Sequence, residues 1–274
     1  MKQTTLIKPA AVEGPGLHKG KKTTVIFNPA PGGSGISVKN SGFTYKLSPA
    51  LVLDTKRGTT IRYKGSIVHT VEHMLSALQG LRVDNCLIEI IGNEPPAADG
   101  SSFSYVMALK RAGICEQKKE KTEMILKEPL MLADEDKYIA VIPWKGLKIS
   151  YFSDFSKYGV KPADYSADIT PSIYEKEVSK ARTFGFKSEI GWLIKAGLIK
   201  GASLKNAILI GEDGAPVSGT LRYHDELTRH KVLDIAGDFK LIQGSLNMHI
   251  IAVKTGHKQN IEMAKIINKL FDNK

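Results

Sequence analysis

Two histidines and a glutamate crowd into His69-Thr70-Val71-Glu72-His73, at the head of an apolar-periodic stretch through Met74, Leu75 and Leu78. At about 100° per residue, a helix beginning at His69 gathers His69, Glu72, His73 and Ser76 on one stripe and Val71, Leu75 and Leu78 on the other. Imidazole nitrogens ligate a metal such as zinc and a neighbouring carboxylate can take a proton from water, so H-x-x-E-H on a helix is a hydrolytic pattern. The same residues also suit an ordinary polar helix face. A second ligand-bearing element has to decide between the two.

That element lies between Asp225 and Ile242, where Val232, Ile235, Ala236 and Phe239 form an apolar stripe and His230, Asp234 and Asp238 line the other side. The i, i+4 spacing brings the His230 imidazole and the Asp234 carboxylate to neighbouring turns, within reach of one ion. A solvated helix face would carry the same carboxylates. After a predicted strand from Leu246 to Val253, Lys254-Thr255-Gly256-His257-Lys258 reads as a turn in which Gly256 takes a positive φ. His257 would then stand exposed at a strand end, a common mounting for catalytic groups. His224 and His249 read as structural. Asp99, before a predicted helix over Phe103 to Ala112, reads as its cap. His18, in Gly16-Leu17-His18-Lys19-Gly20, reads by itself as a surface residue.

Composition limits what such residues can serve. A chain of 274 residues suits two domains, and 42% hydrophobic with 24% charged residues is globular. No apolar run approaches the roughly 20 residues of a membrane span and the N-terminus lacks a secretory apolar region, so a cytoplasmic protein is expected. The two cysteines, Cys86 and Cys115, form no C-x-x-C pair, so any metal must use histidines and carboxylates. A net charge of +11 favours an anionic partner. The basic clusters Lys19–Lys22 and Lys118–Lys121 are interrupted and carry no stacking aromatics, which argues against nucleic acid; an acidic lipid or a phosphorylated small molecule, such as a nucleotide-containing substrate, would also suit the charge.

Residues 4–47 and 51–68 alternate apolar and polar positions between Gly/Pro breaks, which predicts short strands, and a further strand is expected from Asn85 to Ile91. The run Glu116–Glu123 contains no apolar residue and reads as a linker, dividing the chain into domains 1–120 and 121–274. The second half repeats the plan, with strands around 124–152 and helices and strands towards the end. Between them, Ala181-Arg182-Thr183-Phe184-Gly185-Phe186 precedes an apolar stretch (Ile190, Trp192, Leu193, Ile194, Leu198, Ile199) that suits a core or a greasy channel.

Taken together, Gly16-Leu17-His18, Thr70-Val71-Glu72-His73, Asp99-Gly100-Ser101, Ala181 to Phe186, Arg229-His230-Lys231 with Asp234 and Gly237-Asp238, and Gly256-His257 resemble the UDP-3-O-acyl-N-acetylglucosamine deacetylases, zinc amidases of bacterial lipid A synthesis. The resemblance spans nearly the whole chain. It implies an α+β fold of two similar domains, each a sheet with two helices, the helices sandwiched between the sheets. It implies that His73, His230 and Asp234 ligate one Zn²⁺, or Fe²⁺ on the same ligands, and that Glu72 is the general base. His257 would stabilise the oxyanion and protonate the amine, Asp238 would keep it charged, and Thr183 would hydrogen-bond the oxyanion. Lys231, Phe184, Lys137 and His18 would contact a UDP-sugar bearing an acyl chain, sheltered by an insert at about 185–210, in a monomer. Two positions depart from the pattern: His69 becomes a bystander, and Lys56-Arg57-Gly58 stands where smaller or apolar residues are common. The alternative is an inverted-zincin peptidase that uses His69 and His73 with a third ligand elsewhere.

Overall fold

The computed structural model describes residues 1–272. The first half comprises β1 (Lys2–Leu6), β2 (Ala10–Pro15), β3 (Lys22–Pro29), β4 (Ile36–Asn40), β5 (Phe43–Lys46), β6 (Val52–Asp54), β7 (Thr60–Tyr63), β8 (Ser66–Val68), α1 (Glu72–Gly80), β9 (Cys86–Ile91) and α2 (Phe103–Ala112). Its main sheet runs β2-β3-β9-β4-β5, with β9 parallel to β4 and antiparallel to β3. Alternation works as the pleat demands: Thr23, Val25 and Phe27 of β3 face inward and their neighbours are half-buried.

The second half comprises β10 (Ile114–Glu120), β11 (Glu123–Ile125), β12 (Leu130–Asp134), β13 (Lys137–Pro143), β14 (Leu147–Ser153) and β15 (Ala163–Asp168). It continues with α3 (Pro171–Ile173), which runs into a π-helical turn (Tyr174–Val178), then β16 (Phe184–Phe186), α4 (Lys187–Lys195), β17 (Ile208–Ile210), α5 (Glu226–Phe239), β18 (Ser245–Val253) and α6 (His257–Asp272). Its sheet runs β12-β13-β18-β14-β15, with β11 added alongside β18. The fold is α+β, with α1 and α5 packed on each other between the two main sheets. One continuous core joins Val25 and Phe27 of the first sheet, Leu75 of α1, Leu233 of α5 and Ile250 of the second sheet.

Being sandwiched leaves α1 and α5 no solvent face. Every residue of α1 except Gln79, and every residue of α5 except Lys231, is buried. Their polar stripes therefore face protein, and desolvated carboxylates and imidazoles there require partners. The two helices approach closely because Gly237 has no side chain: a Cβ there would lie 2.1 Å from the Glu72 carbonyl oxygen. The Ser76 hydroxyl donates to the Leu233 carbonyl at 2.8 Å and lies 2.6 Å from the Tyr174 hydroxyl, tying α1, α5 and the π turn together.

Two expectations are corrected. Glu116–Glu123 is no linker: most of it is β10, which pairs antiparallel with β1. The run lacks apolar residues because both its faces are exposed or half-buried, and its ladder hydrogen bonds hold it instead. Nor does α1 begin at His69. Thr70 takes φ 52°, a left-handed conformation that cannot belong to the helix. His69 precedes that break, its N–H donating to Asn93 O at 2.9 Å and its Nδ1 lying 3.1 Å from Thr60 Oγ1.

Candidate metal centre

The first turn of α1 carries His73, and successive turns of α5 carry His230 and Asp234. One ligand atom from each falls within 4.8 Å of the others. Asp234 Oδ1 lies 3.3 Å from His230 Nε2 and 3.8 Å from His73 Nε2, and the two rings stand perpendicular with centroids 5.0 Å apart. His230 Nδ1 lies 3.0 Å from the Ala181 carbonyl. Since that carbonyl can only accept, the proton sits on Nδ1 and the Nε2 lone pair is left for a ligand. Asp234 Oδ2 accepts from Lys231 at 2.7 Å. Its Oδ1 is buried and has no hydrogen-bond partner among the described residues.

An orphaned carboxylate oxygen facing two imidazole nitrogens fits a dication, which relieves the desolvation cost and uses all three lone pairs. Burial, reinforced by His230, pushes His73 down to about 3, so its imidazole is in the neutral, ligating form. Burial raises the Asp234 carboxyl, but the facing His230 and Lys231 outweigh it and hold the group well below the usual carboxylate range. A metal held by these two nitrogens and one oxygen would stand at the wall of the adjoining cavity.

Glu72 and His257 stand beside this triangle. Glu72 Oε2 accepts from the Thr59 N–H at 2.9 Å, while Oε1 lies 3.9 Å from His257 Nε2. His257 Nδ1 meets Asp238 Oδ2 at 2.9 Å, and Asp238 also accepts from Thr59 Oγ1 at 2.6 Å and Asn260 Nδ2 at 2.9 Å. Burial raises Glu72 to about 7, with His257 opposing. Burial lowers His257, but the Asp238 charge and hydrogen bond outweigh it and raise the imidazolium to about 9. An acid and a base are thus held apart in pKa within one contact. Thr59 touches both Glu72 and Asp238 and was missed: a threonine in a loop carries no periodic or motif signal.

The expected exposed turn around His257 is also corrected. Lys254, with φ 56°, makes the reversal that Gly256 was expected to make. His257 opens α6 with its side chain only 10% exposed, because Asp238 draws it inward. Asp99 does not cap α2; it accepts from the Ser101 N–H and hydroxyl and pairs with Arg222 at 2.7 Å.

A cavity of about 620 Å³ opens from the triangle and is also lined by Glu72, His257, Thr183, Phe184, Lys231 and Lys137. Thr183 is half-buried and held through its N–H to Gly100 O at 2.7 Å. The Phe184 ring meets that of His230 at 6.1 Å, and Lys231 Nζ lies 5.4 Å from its centroid. Arg57 enters the wall, pairs with Glu189 at 2.9 Å and lies over Trp192; Lys56 is not in the lining. Neither His18 nor His69 lines the cavity. The His18 ring lies between Arg57 O at 3.3 Å and the Ile199 N–H at 3.4 Å. The turn that carries it is pinned by buried Glu94, which accepts from the His18 and Lys19 N–H groups.

The 185–210 stretch forms a crossover, β16-α4-β17, whose strands pair in parallel. Its apolar wall is aromatic: Tyr158 stacks on Phe186 at 3.5 Å, and Phe155 and Phe184 complete the cluster. Helix α4 buries only Leu193, leaving Trp192 and Ile194 58% and 62% exposed.

The family model described as LpxC, UDP-3-O-acyl N-acetylglycosamine deacetylase, matches residues 3–269. Proteins named UDP-3-O-acyl-N-acetylglucosamine deacetylase are similar over almost the whole chain. The one from Oleidesulfovibrio alaskensis is 37% identical over 273 residues, covering 98% of this chain and 90% of that protein. Those from Saccharophagus degradans and Chlamydia caviae are 38% and 35% identical, covering 95% and 97% of this chain and 88% and 96% of theirs.

Proposed function

Because the chain belongs to the UDP-3-O-acyl N-acetylglycosamine deacetylase family, we propose that it hydrolyses the N-acetyl amide of UDP-3-O-acyl-N-acetylglucosamine, releasing acetate in the deacetylation step of lipid A biosynthesis. The observation that carries this reading is the partnerless, buried Asp234 Oδ1 facing two imidazoles, with an acid and a base beside it. His73, His230 and Asp234 would hold a catalytic metal. Zinc suits the two-nitrogen, one-oxygen donor set, and Fe²⁺ fits the same atoms. When bound, the ion supplies Lewis-acid polarisation of the acetamide carbonyl and acidifies the attacking water.

The chain's own residues then manage the protons. Glu72 accepts the proton of the attacking water; the Thr59 N–H fixes one oxygen and leaves Oε1 for the task. His257, kept cationic by Asp238, donates from Nε2 to the developing oxyanion and then protonates the departing amine. The Thr183 hydroxyl adds a second donor to the oxyanion. Lys231 and Lys137 suit the anionic diphosphate, and Phe184 a flat apolar contact. The aromatic wall of Phe155, Tyr158 and Phe186 shelters the acyl chain, each buried methylene contributing about 0.8 kcal/mol.

In this reading residues 1–120 contribute Glu72 and His73, and residues 121–274 contribute the other ligands and His257. All come from one chain, which supports a functional monomer. A cytoplasmic location agrees with the free thiols of Cys86 and Cys115, and no helix among the described residues is long and apolar enough to cross a membrane. The peptidase alternative is not favoured, since His69 lies before α1 and outside the cavity. The test is acetate release from the acylated UDP-sugar before chelation, after it, and after zinc is restored. Activity should vanish and return; metal-replete protein inactive across several acyl lengths would overturn the proposal.

A further inference from the structure

One residue past the end of α5, the side chain of Lys240 turns into the seam between the two halves. The residue is 5% exposed, and its Nζ donates to the Val83 carbonyl at 2.7 Å. An ammonium has three donors and is expensive to bury without a counter-charge. Among the described residues no carboxylate oxygen lies within 4.0 Å of it. The carboxylate that acts on it, Asp84, is already taken by Lys121 at 3.0 Å and by the Thr4 N–H at 2.8 Å. The Lys121 side chain is itself only 7% exposed.

Both ammonium groups border a cavity of about 150 Å³ and an adjoining one of about 50 Å³, which share Asp84, Lys121, Lys240, Gly244 and Ser245. Lys46 stands at the first and Arg82 at the second. Four cationic side chains thus surround one carboxylate, whose Oδ2 already accepts from Lys121 and Thr4. We propose that this cleft is a binding site for a small oxyanion of phosphate size, distinct from the metal centre, in which Lys240 and Lys121 are the central donors. The anion supplies the counter-charge that Lys240 lacks, and its oxygens take the unused ammonium protons. Because Lys240 and Gln243 follow α5 while Val83, Asp84 and Lys46 belong to the first half, an occupied site clamps the seam beneath the metal-bearing helix.

The experiment titrates inorganic phosphate into the metal-loaded protein at constant ionic strength, reading heat of binding and the thermal midpoint. Wild type and Lys137→Met, which alters only the other cavity, should bind phosphate saturably and gain stability with it. Lys240→Met should lose at least about tenfold in affinity. Lys46→Gln, at an exposed position, should lose about threefold. The absence of saturable binding to wild type, an unchanged affinity in both Lys240→Met and Lys46→Gln, or loss of binding in Lys137→Met would overturn the proposal.

Discussion

Adding one methyl group at Gly237 tests whether the two central helices hold the metal jointly. A Cβ there would lie 2.1 Å from the Glu72 carbonyl oxygen and 2.7 Å from its carbon, whereas real Cβ atoms essentially never come under 3.0 Å. The obstacle is backbone, so α1 and α5 must separate by about 1 Å at this crossing. Metal–ligand distances hold to within about 0.2 Å of ideal. The displacement therefore exceeds the tolerance several-fold, and it acts on His73 against the pair His230 and Asp234. Gly237→Ala should lower metal affinity by about 10- to 100-fold or more, with an overpacking cost of about 1–3 kcal/mol in the metal-free protein. Competition against a chromophoric zinc chelator reads the first quantity, and denaturant unfolding of the apoprotein reads the second. Gly191→Ala is the control, since a Cβ there meets no heavy atom within 4 Å. Wild-type zinc affinity in a folded Gly237→Ala protein would refute the idea that the α1–α5 approach builds the site.

Other outcomes follow from the same geometry. Glu72→Gln should keep zinc at one equivalent per chain and reduce kcat by about 10²- to 10⁴-fold; loss of zinc with activity retained would reverse the assignments of base and ligand. His69→Ala should leave zinc content unchanged and Asp234→Ala should abolish it, measured by metal analysis after dialysis, and the peptidase alternative requires the opposite. Turnover should be bell-shaped in pH. Glu72 must be ionised, so activity rises through its pKa; His257 must be protonated, so activity falls through its own. Without metal these lie at about 7 and about 9, and a bound dication draws both downward. The two groups are in contact, so the limbs report the pair. Asp238→Asn removes the charge that raises His257 and should shift the basic limb to lower pH. A basic limb that stays in place in kcat/KM profiles would show that His257 is not the group titrating there.

The candidate metal-binding residues were legible in part because helical spacing is local. His230 and Asp234 one turn apart can share an ion wherever their helix lies, whereas Glu72-His73 at the head of an apolar stretch suited a polar helix face equally well, and the family resemblance supplied the full set. Periodicity likewise located α5, β9 and β18 close to their observed bounds. Periodicity cannot tell a polar stripe facing solvent from one facing another helix, since both alternate alike. Only the packing of α1 on α5, allowed by Gly237, makes these stripes a buried centre in which Glu72 rises, His73 falls and His257 becomes a stable cation. The tertiary structure also overruled local readings where backbone conformation decided. A left-handed Thr70 severs His69 from its supposed helix, and ladder hydrogen bonds to β1 turn a polar run into a strand. Thr59 and Lys240 acquire their roles solely from neighbours far along the chain. Residue chemistry and short spacing therefore identified which groups could act. Burial and long-range contacts, which set both desolvation and charge–charge distances, decided which of them meet and in what protonation state.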